Sequence, residues 1–315
     1  MHIPDGFVTA PVAAGTWLAA GALLAGGLAT ARRREEPAPA TMLGSLAAFI
    51  FAAQMINVPV APGTSGHLVG ATLVALLVGP GRGMLVMAVV LAIQALLFQD
   101  GGITALGANV LDMGAAGCLV GWGVASLVSR GSDSPRARLA GAVLGAFLAT
   151  LVGATLVALW LSLSGLYPLG GILPLVLVTH AAIGVLEAAL TGAVLVVLLR
   201  WRPDLPAAGT ASPAGERWFA LAGTLLGVAL LLAAFAAPFA SSLPDGLEAV
   251  AERLGFAARE RVVLPGPLAD YGVPALARHA GLATAVAGVL GTALAAVLGW
   301  LIGRGLPGAG ERIHR

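Results

Sequence analysis

The sequence begins Met1-His2-Ile3-Pro4-Asp5-Gly6, and its first two residues can close a metal chelate. A bulky His2 disfavours removal of Met1, so the chain is expected to keep a free amine one peptide bond from an imidazole. That amine, the His2 backbone nitrogen and His2 Nδ1 would form two fused rings around one cation, three nitrogens in a plane. A planar nitrogen set suits Ni(II) or Cu(II), whereas Zn(II) prefers a tetrahedron. A fourth donor is needed, and His67, which ends the Pro/Gly-rich loop Val60-Ala61-Pro62-Gly63-Thr64-Ser65-Gly66-His67, is the candidate. Each histidine also has an ordinary reading, His2 as an exposed tail residue and His67 as a ring bonded to a loop carbonyl. Ser65 and His67 admit a further alternative, an intramembrane hydrolase. Two residues apart, they have no evident orienting carboxylate or oxyanion hole.

The elements that must position these groups follow from composition. Hydrophobic residues make up 58% of the 315, charged residues 10%, and mean hydropathy is +0.95. Such a chain carries repeated stretches near the roughly 20 residues that cross a bilayer, so an all-α polytopic membrane protein is expected. Nine apolar segments lie near 11–31, 41–57, 68–80, 84–98, 108–128, 139–163, 173–200, 217–240 and 281–303. The third and fourth are short and flank Gly79-Pro80-Gly81-Arg82-Gly83, which allows a tilted, broken or re-entrant pair. No basic leader with a small-residue cleavage site precedes the first segment, so no removable signal peptide is expected.

Orientation follows from arginine, because the chain has no lysine. Arg32 to Arg34, Arg82, Arg130, Arg136, Arg138, Arg200, Arg202, Arg217, Arg304, Arg312 and Arg315 share one side of a nine-span arrangement. Arg253, Arg259, Arg261 and Arg278 share one long loop on the other side, where the charge rule is weak. The N-terminus is then outside, the C-terminus inside, and Met1, His2 and His67 fall on the outer face. The pI near 9.3 reflects arginines at the cytoplasmic surface, not nucleic-acid binding. Absence of lysine also excludes a Walker-type P-loop and Schiff-base chemistry. The lone Cys118 excludes an internal disulfide or a thiolate cluster.

Three separated motifs carry a resemblance. Met1-His2-Ile3-Pro4-Asp5-Gly6-Phe7, Val60 to Gly70, and Phe98-Gln99-Asp100-Gly101-Gly102-Ile103-Thr104-Ala105-Leu106-Gly107-Ala108-Asn109 resemble the CbiM/NikM family over roughly residues 1–200. Members are substrate-specific subunits of energy-coupling-factor ABC importers for cobalt and nickel. The resemblance implies Ni(II) or Co(II) as transported substrate, with no prosthetic group. It implies an ion held by the Met1 amine, His2 and His67, and as partners a membrane-embedded coupling subunit and two cytoplasmic ATPase subunits. Ser242-Leu243-Pro244-Asp245-Gly246-Leu247-Glu248 is similar to the PDGLE segment of NikN-type accessory subunits. The expected architecture is therefore about seven helices in a substrate-binding bundle (1–200), a cytoplasmic linker (201–216), and a two-span accessory domain with an outer loop (217–315), in a bacterial or archaeal plasma membrane.

Other polar residues complete the picture. Asp245 can cap a short outer helix with Glu248 reaching back, Leu247, Val250 and Leu254 forming its apolar side; capping is favoured over metal binding for this pair. Gln99, Asp100 and Asn109 are candidates to orient His2 or His67. Gln94, Asp112, His180 and Glu187 lie in apolar segments and should each face another helix or a cavity. Deprotonating a backbone amide is easier for Ni(II), so the ligand chemistry tilts toward nickel, although cobalt subunits share these motifs.

Overall fold

The computed structural model describes residues 1–33, 38–130, 132, 134–201 and 215–306. The protein is an all-α polytopic membrane protein, its helices being α1 (Ala10–Arg33), α2 (Ala40–Gln54), α3 (Ala71–Val78), α4 (Pro80–Ile93), α5 (Leu106–Asn109), α6 (Ala116–Val128), α7 (Pro135–Leu163), α8 (Leu169–Trp201), α9 (Gly215–Leu231), α10 (Gly246–Leu254) and α11 (Ala280–Arg304). A small antiparallel hairpin, β1 (Val58–Ala61) and β2 (Thr64–Gly66), pairs Val58 with Gly66 and Pro59 with Ser65. Most of the expected linker, residues 202–214, lies outside the described residues.

The nine-span expectation needs correcting. Among the described residues seven helical stretches are long and apolar enough to cross a bilayer, and α2 and α3 are not among them. The fifteen residues of α2 and the eight of α3 span about 22 Å and about 12 Å, against a hydrocarbon core of about 30 Å. An apolar run does not by itself distinguish helix from buried extended chain. Residues 64–75 are buried without interruption, and the stretch ahead of α3 is non-helical. Gly79, in a left-handed conformation (φ +83°), breaks the chain again, and Pro80 begins α4.

Small residues set the packing. A Cβ on Gly44 of α2 would stand 2.5 Å from the Ala296 carbonyl oxygen of α11, and one on Gly299 would stand 2.9 Å from the Leu43 oxygen. The two backbones thus meet directly, as membrane helices do where side chains are absent. Helices α6, α7 and α8 pack in sequence, α1 lies along α4, and α9 and α11 cover α2. The region after residue 215 thereby rests on the region before it. At the far end of α1 from Met1, Arg82 Nη2 donates to the Ala31 carbonyl at 3.2 Å.

Candidate metal centre

The N-terminal peptide is inside the fold. Met1, His2, Ile3 and Phe7 are buried, and a Cβ on Gly153 of α7 would meet the Met1 methyl at 3.3 Å. Asn109, at the end of α5, fixes the main chain at Ile3 from both directions. Its Oδ1 accepts from Ile3 N–H at 2.8 Å and its Nδ2 donates to the Ile3 carbonyl at 3.1 Å, which also accepts from Gly102 N–H at 2.8 Å. Asp5 Oδ1 accepts from the Thr104 N–H at 2.7 Å and from its hydroxyl, while the Asp5 carbonyl accepts from Arg261 N–H at 2.9 Å. Gly6 then turns with φ +93°, where a Cβ would lie 2.1 Å from the Arg259 oxygen, so only glycine fits.

This anchoring brings His2 against His67. Their rings stack with centroids 5.4 Å apart and planes 19° from parallel. His67 Nδ1 lies 3.1 Å from the Leu68 carbonyl. A carbonyl only accepts, so the proton sits on Nδ1 and the lone pair on Nε2. Burial, then the Met1 ammonium and His2, lower the His67 pKa to about 4, leaving a neutral ring. The His2 backbone N–H donates to no protein group among the described residues.

Two carboxylates hold the other donors. The Met1 ammonium donates to Asp245 Oδ2 at 2.8 Å, and His2 Nδ1 lies 2.7 Å from Asp100 Oδ1. Tyr271 OH donates to Asp100 Oδ2 at 2.6 Å. Burial alone would raise the Asp100 carboxyl; His2, through charge and hydrogen bond, and then Tyr271 hold it well below the ordinary carboxylate range. Burial acts likewise on Asp245, where the Met1 ammonium and the Glu248 N–H hold it low. Beside this cluster opens a cavity of about 560 Å³ whose wall includes His2, His67, Asp100, Asp245, Glu248 and Tyr271. Among the described residues no three His, Cys, Asp or Glu side chains are grouped to hold an ion.

Of the residues singled out for orienting the histidines, Asp100 meets His2, Asn109 holds Ile3 rather than a ring, and Gln99 packs near Gly266 with its backbone in the left-handed region. The polar residues of the apolar segments all face inward. Gln94 Nε2 donates to Gln54 Oε1 at 2.8 Å, Asp112 Oδ1 accepts from Trp160 Nε1 at 2.7 Å, His180 Nδ1 meets the Val176 carbonyl at 2.8 Å, and Glu187 accepts from two backbone N–H groups. Asp245 and Glu248 form the expected capping box on α10, with Leu247 and Val250 buried beneath it. Ser65 gives the hydrolase alternative no support: its hydroxyl donates to the Leu243 carbonyl at 2.7 Å, away from His67. The amine-holding role of Asp245 and the link from Tyr271 to Asp100 escaped the sequence reading. Both pair residues more than 170 positions apart, for which no local pattern exists.

Comparison with known proteins agrees with this architecture. Residues 2–205 match the family described as CbiM, cobalt uptake substrate-specific transmembrane region, and residues 218–307 match the PDGLE domain. An Archaeoglobus fulgidus protein, provisionally named a fused nickel transport protein NikMN, is 38% identical over 310 residues, spanning 96% of this chain and 98% of its own. The fused nickel transport protein NikMN of Rhodobacter capsulatus is 30% identical over 93% of this chain and 94% of its own. A crystal structure of a transition metal transporter superposes with TM-score 0.56 at 31% identity, over 64% of this chain and 94% of that one. The chain belongs to the CbiM family of cobalt and nickel transport proteins, carrying a PDGLE domain in the same polypeptide.

Proposed function

We propose that this chain captures Ni(II) or Co(II) as its transported substrate through four nitrogens: the Met1 amine, the His2 backbone nitrogen, His2 Nδ1 and His67 Nε2. The observation that carries the reading is the buried stack of His2 on His67 at 5.4 Å, reached only because the N-terminus folds into the bundle. Nitrogens bound to one first-row ion at about 2 Å lie within about 4 Å of each other, a separation that neighbouring rings at this spacing can supply.

The carboxylates explain how the empty protein keeps such donors inside. Asp245 pairs the ammonium and Asp100 the imidazole, so neither is buried without a partner. An incoming cation replaces the ammonium and the Nδ1–H as partners of the two carboxylates: the amine and the amide each give up a proton as they bind, and His2 frees Nδ1 by carrying its one remaining ring proton on Nε2. The acidic wall then faces a cation, as it did before. His67 arrives neutral, so its lone pair needs no prior deprotonation.

The chain has no lysine and therefore no P-loop, so energy for transport comes from other subunits. We place it as the substrate-capture subunit of an energy-coupling-factor ABC importer, beside a membrane-embedded coupling subunit and two cytoplasmic ATPases. Residues 1–200 form the binding bundle and residues 217–315 the accessory domain, joined by a cytoplasmic linker at 201–216. The N-terminus is outside and the C-terminus inside, as the arginine distribution favours. The ligand set tilts toward nickel.

One added residue before Met1 tests the reading. It moves the amine out of register while changing none of the native side chains. Purified protein grown with both ions should carry one equivalent of metal, and the extended form close to none. Equal metal in both would overturn the chelate.

A further inference from the structure

We propose that Glu187 is the residue that positions His67 for the ion: reaching across from α8, its carboxylate shapes the main chain at Val69 and Gly70 and thereby sets where the His67 ring stands. The proposal rests on the nitrogen-chelate reading above. Residues 64–75 run buried, and up to Gly70 they are not helical. Buried non-helical backbone survives only where protein satisfies its N–H and C=O groups.

Glu187 meets that need at two consecutive positions. Its Oε2 accepts from Val69 N–H at 2.6 Å and its Oε1 from Gly70 N–H at 2.9 Å. From the opposite side Gln54 Nε2 donates to the Val69 carbonyl at 2.8 Å, and Gln54 is itself held by Gln94 at 2.8 Å. The His67 ring then closes on the next carbonyl, Leu68, at 3.1 Å. Both Glu187 oxygens face the chain, so the carboxylate works on the loop and not on the ion. An ionised carboxylate is the one side chain that offers two acceptors in a plane; glutamine has one acceptor and would set its own N–H₂ against the other backbone N–H. The left-handed turn at Gly70, φ +76°, follows immediately and starts α3.

The test is a double-mutant cycle on the full chain, with nickel chloride as probe. Wild type, Glu187→Gln, His67→Ala and the double variant are compared for Ni(II) affinity by competition titration and for the visible absorption of the bound ion. Glu187→Gln should weaken binding about 10- to 100-fold, the range for residues that orient a ligand. In the His67→Ala background it should add less than about twofold, because its effect passes through His67. Wild-type affinity in Glu187→Gln, or an undiminished further loss in the double variant, overturns the proposal. Wild-type binding by His67→Ala overturns the chelate itself and the positioning role with it, so the two failures are distinguishable. If Glu187→Gln does not fold, Glu187→Asp, which keeps the charge but is one methylene shorter, carries the same cycle under the same criteria.

Discussion

The Met1 ammonium and the Asp245 carboxylate, 244 residues apart in sequence, are joined at 2.8 Å. One oxygen of Asp245 caps α10 through Leu247 and Glu248 N–H groups, and the other holds the start of the chain. The PDGLE domain thus touches the candidate metal donors directly, and Tyr271 extends the same reach through Asp100 to His2.

That pair makes a chemical prediction. With no lysine in the chain, the terminal amine is its one aliphatic primary amine, and an acylating reagent reports on it alone. Asp245→Asn keeps a carbonyl oxygen for the cap but sets an N–H₂ group against the ammonium. Labelling of the terminus should rise about tenfold or more, in line with loss of a charge-assisted bond of about 1.5–3 kcal/mol, while α10 loses at most about 1 kcal/mol. Labelling as slow as in wild type would show that the amine is held by something else.

Asp100 makes a second prediction. Asp100→Asn preserves shape but removes the carboxylate charge that faces the ion once His2 Nδ1 has left Asp100 for the metal. Ni(II) affinity should fall about tenfold with stoichiometry intact, a loss of about 1.4 kcal/mol. Tyr271→Phe, which keeps the stack on Phe98 at 4.8 Å, should cost about 1 kcal/mol of thermal stability and a smaller loss of affinity. Equal or tighter binding by Asp100→Asn would count against the role given to this carboxylate.

The pH dependence of His67 has a definite sign. Burial, and then the Met1 ammonium and His2, lower its pKa from 6.5 to about 4. Between these values the unfolded imidazole carries a proton and the folded one does not. The stability His67 contributes is therefore full above 6.5 and falls as pH drops through the window toward 4. Ring nitrogen chemical shifts should show His67 still neutral at about pH 5, where an unperturbed imidazole is protonated. Titration near 6.5 would mean an exposed ring.

Packing gives a prediction independent of metal. Gly299→Leu must push apart α11 and α2, whose backbones leave no room for even one carbon. Overpacking of this kind costs about 1–3 kcal/mol, read as a lowered melting temperature.

Much of this was legible in the sequence because it is local. The Met1-His2 start, the Ser65-Gly66-His67 loop and the Asp245-to-Glu248 spacing each stand out within a few residues; the structure stacks His2 on His67 and builds the α10 cap, while the metal chemistry of the first two stays a proposal. Hydropathy found the apolar segments but not the length of α3, since a buried extended chain and a helix read alike. The hold of Asp245 on the amine, of Tyr271 on Asp100 and of Glu187 on Val69 joins residues more than 100 positions apart. Glu187 was visible as a buried acid in an apolar run, yet only the fold shows which backbone it serves.

X-ray absorption spectroscopy of the nickel-loaded full-length protein tests the central claim most directly. A planar shell of four nitrogens, two of them from imidazole rings, is the result expected here. A six-coordinate, oxygen-rich shell, with the ion taken by Asp100 and Asp245 instead of displacing the groups they hold, would contradict it.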